Sequence, residues 1–258
     1  MKHFSQLFND VMRLMVGTNS KSFCGYKNFF HVQSFFNDEW YNFIIPKCQN
    51  PAGLDMNKIN KLIEKESAQG KKVSFYINQT LLDKYKSFLD KNKYSLCGNE
   101  VYIQKTINAA SGVKLPEGYT IDNSYELEKV IKILEECFPE WSTERDYSKA
   151  YENYKKQGQE GRGFETFVVH LSDEIIGAAS VFFDKKLNLS YLHNDGILEP
   201  HRRKGLHTAL IDTRNNFCVN NGVTRIASIV EDGSGSYVSF LKNGFEVADK
   251  FFIFTKSF

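Results

Sequence analysis

Residues 189–220 constrain the possible fold more than any other stretch of this 258-residue sequence. The segment 189–198 has the length and the leucine, isoleucine and tyrosine content of a buried strand, and 203–220 has the pattern of a helix that stops at Gly222. The loop Pro200 to Gly205 joins them. A helix start carries unpaired N–H groups and a positive dipole end, and a glycine lets a ligand approach the backbone closely. The pattern predicts an α/β fold with an anion site at this helix start.

Strands and helices alternate along the whole chain, which favours an α/β class. Small residues and turn formers at 108–118 predict a boundary between domains 1–107 and 108–258. For the first domain we predict a helix in the first fifteen residues, strands 29–36 and 40–45, helix 54–68, strand 73–77, helix 81–91 and one or two strands in 94–104. For the second we predict strand 119–122, helices from 123 or 124 to 137 and at 143–156, strands 164–171, 175–183 and 189–198, helix 203–220, strand 225–230, helix 236–242 and strands around Phe245 and Phe251.

A short motif occurs once in each predicted domain. Tyr85-x-Ser87-Phe88-Leu89 recurs as Tyr237-x-Ser239-Phe240-Leu241, and each copy is followed by an asparagine and then an aromatic residue. Both copies lie between two predicted strands. The repetition indicates duplication of a strand-helix-strand unit, although two amphipathic helices between strands can also match in this way.

Charge and cysteine content exclude several classes of protein. Lys and Arg total 33 against 31 Asp and Glu, a net charge of +2, which argues against nucleic acid or an anionic membrane as the main partner. A signal peptide or a membrane span needs an uninterrupted apolar run. Asp10 and Arg13 interrupt the apolar residues of the first helix, so we expect this helix to be neither. The five cysteines are scattered without a CxxC pair, so we expect neither a disulfide framework nor a metal site, and a cytoplasmic protein.

Two motifs in the second domain resemble those of one known family. Arg202 and Gly205 occupy the first two fixed places of (Gln/Arg)-x-x-Gly-x-(Gly/Ala), the acetyl-CoA signature of the GNAT superfamily of N-acetyltransferases. His207 stands in the third place, where a small residue is usual. The stretch from Phe240 to Phe245 looks like the family's Tyr-x-Lys-x-Gly-Phe. The resemblance covers most of 118–258 and implies the GNAT fold, a central mixed β-sheet flanked by helices. The repeated motif indicates a smaller related N-terminal α/β domain, which has no basic, glycine-containing loop comparable to 202–207 and is therefore expected to lack the cofactor site.

The resemblance implies an enzyme that transfers the acetyl group of acetyl-CoA to an amine, either a small molecule or a peptide amine. The amine would attack the thioester directly, and a backbone N–H of the strand near Ile197 and Leu198 would meet the thioester carbonyl. His207 would either displace the loop or contact the cofactor itself. The expected cofactor-binding residues are Ile197, Leu198, Arg202, Arg203, Lys204, Gly205, Leu206, His207 and Thr208.

The strand before the loop offers candidates for the catalytic base. His193 and Asp195 are two positions apart, which places them on one face of a regular strand. Glu231 is a weaker candidate, and a chain of water molecules would also serve. Phe240 occupies the place of the family's tyrosine acid and has no proton to give, so Tyr237, one helical turn earlier, is the predicted substitute unless the thiolate leaves unassisted.

Two further functions fit the same residues. The departures at His207 and Phe240 are also compatible with a non-catalytic protein that binds acyl-CoA or has a regulatory role. A structural or interaction protein that only retains the fold would not bind CoA at all. Release of CoA thiol above background when amines are supplied separates the enzyme from the first alternative.

Overall fold

The computed structural model describes residues 4–139, 147–156 and 161–256. The predicted helix at 143–156 is observed from Tyr147 onwards, and its residues 143–146 lie outside the described part of the chain. The helices are α1 (Gln6–Met15), α2 (Met56–Ser67), α3 (Leu82–Lys91), α4 (Leu127–Cys137), α5 (Tyr147–Lys156), α6 (Leu206–Asn220) and α7 (Gly235–Lys242). The strands are β1 (Ser20–Gly25), β2 (Phe29–Ser34), β3 (Phe43–Pro46), β4 (Ser74–Asn78), β5 (Tyr94–Thr106), β6 (Tyr119–Asp122), β7 (Arg162–Leu171), β8 (Glu174–Asp184), β9 (Leu189–Ile197), β10 (Arg225–Glu231) and β11 (Glu246–Lys256).

The chain folds into two compact units. One comprises Met1–Tyr102 together with Val247–Phe258, and the other comprises Ile103–Glu246. The last strand, β11, therefore belongs to the first unit, where it pairs with β4 in antiparallel orientation. The predicted domain boundary at residues 107 and 108 stays a prediction. No helix in the described part of the chain is both long and apolar enough to cross a bilayer.

In the first unit, the strand order is β1-β2-β3-β4-β11-β5. Strands β3 and β4 pair in parallel, whereas β1 with β2 and β2 with β3 pair in antiparallel orientation. The strand pairing in this unit is therefore of the mixed type. Ser5 is the N-cap residue of helix α1, and its hydroxyl accepts a hydrogen bond from the Phe8 N–H at 3.1 Å. The buried Phe8 ring packs against Phe251 and Tyr102, with centroids 5.1 and 5.6 Å away. The apolar stripe of α1 is thus part of the core.

In the second unit, the strand order is β10-β9-β8-β7-β6. Strands β6 to β9 are antiparallel neighbours, and β10 is parallel to β9. Helices cover both faces, as successive side chains of β8 indicate. The Phe182 ring packs on Tyr154 of α5 with centroids 4.6 Å apart, and the Phe183 ring packs on Phe217 of α6 with centroids 5.8 Å apart. The α/β class and the mixed, helix-flanked arrangement are confirmed.

A β-bulge interrupts β9 near its end. Ala178 and Ser180 of β8 lie opposite Gly196 and His193, so β9 uses one more residue than β8 over this interval. Asn194 adopts a left-handed φ of 56° there. A bulge of this kind reverses the alternation of side chains in the residues that follow it. It decides which side chains of β9 can reach the same helix.

Several local predictions were wrong. Strand β1 was not predicted, because Ser20–Gly25 is mostly polar and forms an edge strand with little buried surface. The final two short strands are one continuous strand, β11. Helix α6 begins at Leu206 rather than at residue 203, because Gly205 adopts a φ of 83° that a helix cannot continue through.

Candidate functional site

A cavity of about 620 Å³ opens in the second unit where β9 and β10 separate. The two strands pair only as far as Leu192 and Ser228, although β9 continues to Ile197 and β10 to Glu231. Helix α7 and the start of α6 complete the walls. The lining residues are Cys137, Phe138, Asp195, Gly196, Ile197, His201, Arg202, Arg203, Gly205, Leu206, His207, Thr208, Glu231, Gly235, Ser236 and Ser239.

The start of α6 is suited to an anion. Gly205 is the N-cap residue and provides no side-chain cap, and the Ala209 N–H is the first to bond back, to the Gly205 carbonyl at 3.0 Å. The N–H groups of residues 206–208 therefore precede the hydrogen-bonded part of the helix. A side-chain carbon added at Gly205 would meet no atom within 4 Å. Space, N–H donors and the helix dipole together fit a pyrophosphate.

The cationic side chains of the loop differ in their directions. Arg202 is anchored by its Nε, which donates to the Ile197 carbonyl at 2.8 Å, and it lines the cavity. Arg203, with a left-handed φ of 63°, also lines it. Lys204 instead donates to the Tyr119 hydroxyl at 3.0 Å and is not among the lining residues. Two of the three predicted cations thus face the cavity.

Asp195 is part of a buried charged cluster. Arg214 of α6 has no exposed side-chain surface, and its Nη2 donates to Asp195 Oδ2 at 2.7 Å while its Nη1 bonds Oδ1. The same Nη1 donates to the Ser180 carbonyl at 3.0 Å. His207 Nε2 lies 3.1 Å from Asp195 Oδ2. Burial favours a higher pKa for Asp195, but the Arg214 charge and the His207 hydrogen bond outweigh it and lower that pKa to about 2.

The expectation that His193 and Asp195 share a face is wrong, because the bulge at Asn194 reverses the alternation. His193 stacks on Tyr191 with centroids 5.3 Å apart and approaches Phe182 on the α5 side of the strands. Asp195 meets Arg214 on the α6 side. Of the predicted catalytic residues, Asp195 lines the cavity whereas His193 and Tyr237 are not among its lining residues. The catalytic roles assigned to these three residues stay predictions.

Most predicted cofactor-binding residues surround the same cavity. All of them line it except Leu198 and Lys204. The Leu198 N–H donates to the Ile176 carbonyl at 3.0 Å, so this donor is already engaged within the protein. The ladder between β9 and β10 ends at Leu192 and Ser228, and Gly196 and Ile197 of β9, which line the cavity, lie beyond its end.

Some residues of the site were not predicted from the sequence. Arg214 lies nineteen positions after Asp195 and gives no local signal of pairing with it. Cys137 belongs to a distant helix, and burial raises the pKa of its thiol against the opposing influence of Arg202. Ser236 and Ser239 lie three positions apart on α7, and helical spacing was the only available signal for their shared face.

Comparisons with known proteins agree on the fold and on the family. The model of the Acetyltransferase (GNAT) family matches residues 127–245. A search of curated protein sequences finds no significant match. The solved structure of a GCN5-related N-acetyltransferase from Kribbella flavida has a TM-score of 0.68 at 12% identity, over 99% of this chain and 96% of that one.

Two further structures show the same similarity. A GCN5-related N-acetyltransferase from Sphaerobacter thermophilus has a TM-score of 0.65 at 13% identity, over 96% of this chain and 84% of that one. A tandem GNAT protein from the clavulanic acid biosynthesis pathway has a TM-score of 0.60 at 12% identity, over 96% and 87%. At these identities the structures show the fold alone, and the family model adds the sequence evidence. Residues 127–245 therefore form a domain of the GNAT acetyltransferase family.

Proposed function

We propose that this protein is an N-acetyltransferase that binds acetyl-CoA in the cavity between β9 and β10 and transfers its acetyl group to an amine. The observation that carries the proposal is the start of α6, where unpaired N–H groups, Gly205 and two inward-facing arginines surround one open space within a GNAT domain.

Each part of the cavity has a task in this proposal. The N–H groups of residues 206–208 and the side chains of Arg202 and Arg203 hold the pyrophosphate. The backbone of β9 at Gly196 and Ile197, beyond the end of the ladder with β10, offers N–H groups to the thioester carbonyl, where negative charge develops as the amine attacks. The remaining cavity volume beside Glu231 and Ser239 is available to the acyl group and the acceptor.

The first unit is proposed to be a degenerate copy of the second. Helix α3 lies between β4 and β5 as α7 lies between β10 and β11, so both copies of the repeated motif occupy a strand-helix-strand unit. The basic, glycine-containing loop of residues 202–207 has no counterpart in the sequence before residue 103. The cofactor therefore binds to one copy only.

The test is release of CoA thiol from acetyl-CoA, measured with polyamines, amino acids, aminoglycosides and peptide amines as acceptors. We expect release above the rate without protein, and above the rate without amine, for at least one of these classes. Binding of acetyl-CoA with no release for any class would instead favour a non-catalytic acyl-CoA-binding protein. The buried Phe240, 1% exposed and without a hydroxyl, is the feature that favours this second function.

A further inference from the structure

The hydroxyl group of Tyr119 contacts two residues of the loop that joins β9 to α6. It lies 3.1 Å from Nδ1 of His201, and it accepts a hydrogen bond from Nζ of Lys204 at 3.0 Å. The Tyr119 ring also meets the His201 ring edge-on, with centroids 6.0 Å apart, and the Lys204 ammonium lies 5.7 Å from the Tyr119 ring centroid. A side chain of β6, which precedes these residues by 82 and 85 positions, thus holds the loop at two points.

The two contacts of the Tyr119 hydroxyl are compatible with each other. An ammonium group can only donate hydrogen bonds, so the Tyr119 oxygen is the acceptor in its contact with Lys204. The single hydroxyl hydrogen is then available to Nδ1 of His201 when that imidazole is neutral. Phenylalanine at position 119 would keep the ring and lose both hydrogen bonds.

Arg203 lies between the two held residues and has an unusual backbone conformation. Its φ of 63° is in the left-handed region, which costs free energy for a residue other than glycine and persists only where the surroundings hold it. Before Arg203, backbone hydrogen bonds close the short turn Glu199–His201. After it, the hydrogen bonds of α6 begin at Gly205. The strained residue therefore stands between two regular segments, and Tyr119 bonds to the residues on both sides of it.

We propose that Tyr119 is a positioning residue of the pyrophosphate site, which holds the loop on both sides of Arg203 and so keeps the Arg203 side chain turned into the cavity. This inference rests on the proposed function, in which Arg203 binds the pyrophosphate. Arg203 lines the cavity, whereas Tyr119 and Lys204 are not among the lining residues. The Tyr119 hydroxyl therefore acts through the loop rather than by contact with the cofactor.

The benefit of this arrangement is that the cation is ordered before the cofactor binds. A side chain that must first be ordered on binding loses part of its interaction free energy to that ordering. Without the Tyr119 hydroxyl, Arg203 can relax to the right-handed φ that a non-glycine residue prefers, and its side chain then points in another direction. Affinity for the cofactor falls although no contact with the cofactor has been removed.

Calorimetric titration with acetyl-CoA tests this role in a double-variant cycle. We expect Tyr119→Phe to weaken binding about fivefold and Arg203→Ala to weaken it about tenfold. In the combined variant the loss should stay at about tenfold, because the hydroxyl has no guanidinium left to position. Lys204→Ala removes one of the two contacts from the loop side and should weaken binding less than Tyr119→Phe does.

Tyr85→Phe is the matched control for loss of a hydroxyl group. Its hydroxyl donates to the Cys48 carbonyl at 2.9 Å in the first unit, and none of the described residues that line the cavity belongs to that unit. We therefore expect Tyr85→Phe to bind acetyl-CoA with native affinity.

Nuclear magnetic relaxation tests the positioning without any ligand. In the native protein and in Tyr85→Phe, we expect ¹⁵N order parameters of the Arg203 and Lys204 amides near the value of a rigid backbone, about 0.85. In Tyr119→Phe they should fall below about 0.6, while those of α6 stay unchanged. Unchanged order parameters of the loop in Tyr119→Phe would overturn the inference.

The titrations separate failure of this inference from failure of the proposed function. If the native protein binds acetyl-CoA and Tyr119→Phe binds it equally well, the role of Tyr119 is wrong and the proposed function stands. The same holds if the two losses multiply to about fiftyfold in the combined variant, since Tyr119 would then act independently of Arg203. No binding by the native protein would overturn the proposed function, and this role of Tyr119 with it.

Discussion

Arg214 has no solvent-exposed surface, so its charge must be matched within the fold. The Asp195 carboxylate supplies the counter-charge and accepts two hydrogen bonds from Arg214. The Ser180 and Leu210 carbonyls accept further hydrogen bonds from the guanidinium, at 3.0 Å each. A buried charge that loses its partner is costly, whereas the complete pair is close to neutral relative to apolar packing. The residue suggested by the sequence as a base is therefore also a structural residue.

Removal of the Asp195 charge should destabilise the protein. We expect Asp195→Asn to lower the free energy of unfolding by about 3 kcal/mol, because Arg214 would remain buried without a counter-charge. The double variant Asp195→Leu with Arg214→Met should be more stable than Asp195→Asn. Urea denaturation of the three proteins at neutral pH measures both quantities, and an Asp195→Asn variant as stable as the native protein would contradict the role of the pair.

The lowered pKa of Asp195 also predicts an acid-sensitive contribution to stability. Because the folded pKa of about 2 lies below the ordinary 3.8, the contribution is fully present above about pH 5 and is lost as the pH falls through 2. The difference corresponds to about 2 kcal/mol. In urea denaturation, the stability gap between native protein and Asp195→Asn should narrow across this pH range. A constant gap would show that the pair does not hold Asp195 ionised.

At the scale of the element, the sequence predicted the strand, the loop and the helix of residues 189–220 but not their local geometry. The helix start was placed three residues early, since the left-handed φ of Gly205 depends on how the loop closes. The bulge at Asn194 is a further deviation, because alternation is the default for a strand and nothing in the residue types indicates where it fails. Both deviations lie at the candidate site, and departures from local regularity are expected at functional sites.

The different directions of Arg203 and Lys204 give a prediction that sequence reasoning could not make. We expect Arg203→Ala to weaken acetyl-CoA binding about tenfold, because a charge-assisted hydrogen bond to phosphate is lost. Lys204→Ala removes the same charge from the adjacent position, but the Lys204 side chain contacts Tyr119 and does not line the cavity. Its effect on the affinity for acetyl-CoA should therefore stay below about threefold. Equal losses in calorimetric titrations would mean that overall charge matters more than side-chain direction.

At the scale of the whole molecule, the alternation of strands and helices was sufficient to predict the α/β class, and the resemblance to the GNAT superfamily was needed to predict a mixed sheet. They were not sufficient to place β11, whose pairing with β4 joins residues more than 170 positions apart, because such pairing is set by tertiary contacts rather than by local propensity. The family was predictable because two motifs of the second domain lie in the right order and at the right distance. The amine acceptor was not, since the fold supports many acceptors and only the detailed site discriminates among them.

Gly205 and Gly222 provide a matched pair of positions for the decisive measurement. They stand at opposite ends of α6, have φ values of 83° and 77°, and in both a side-chain carbon would meet no atom within 4 Å. Glutamate at either place therefore adds the same charge and a similar backbone strain. Only at Gly205 does that charge face the proposed pyrophosphate site.

The most direct test is calorimetric titration of acetyl-CoA into the native protein, Gly205→Glu and Gly222→Glu. We predict that the native protein and Gly222→Glu bind with similar affinity, and that Gly205→Glu binds at least about tenfold more weakly because its carboxylate repels the pyrophosphate. Native-like binding by Gly205→Glu, or no binding by the native protein, would contradict the assignment of the cavity at the start of α6 as the acetyl-CoA site.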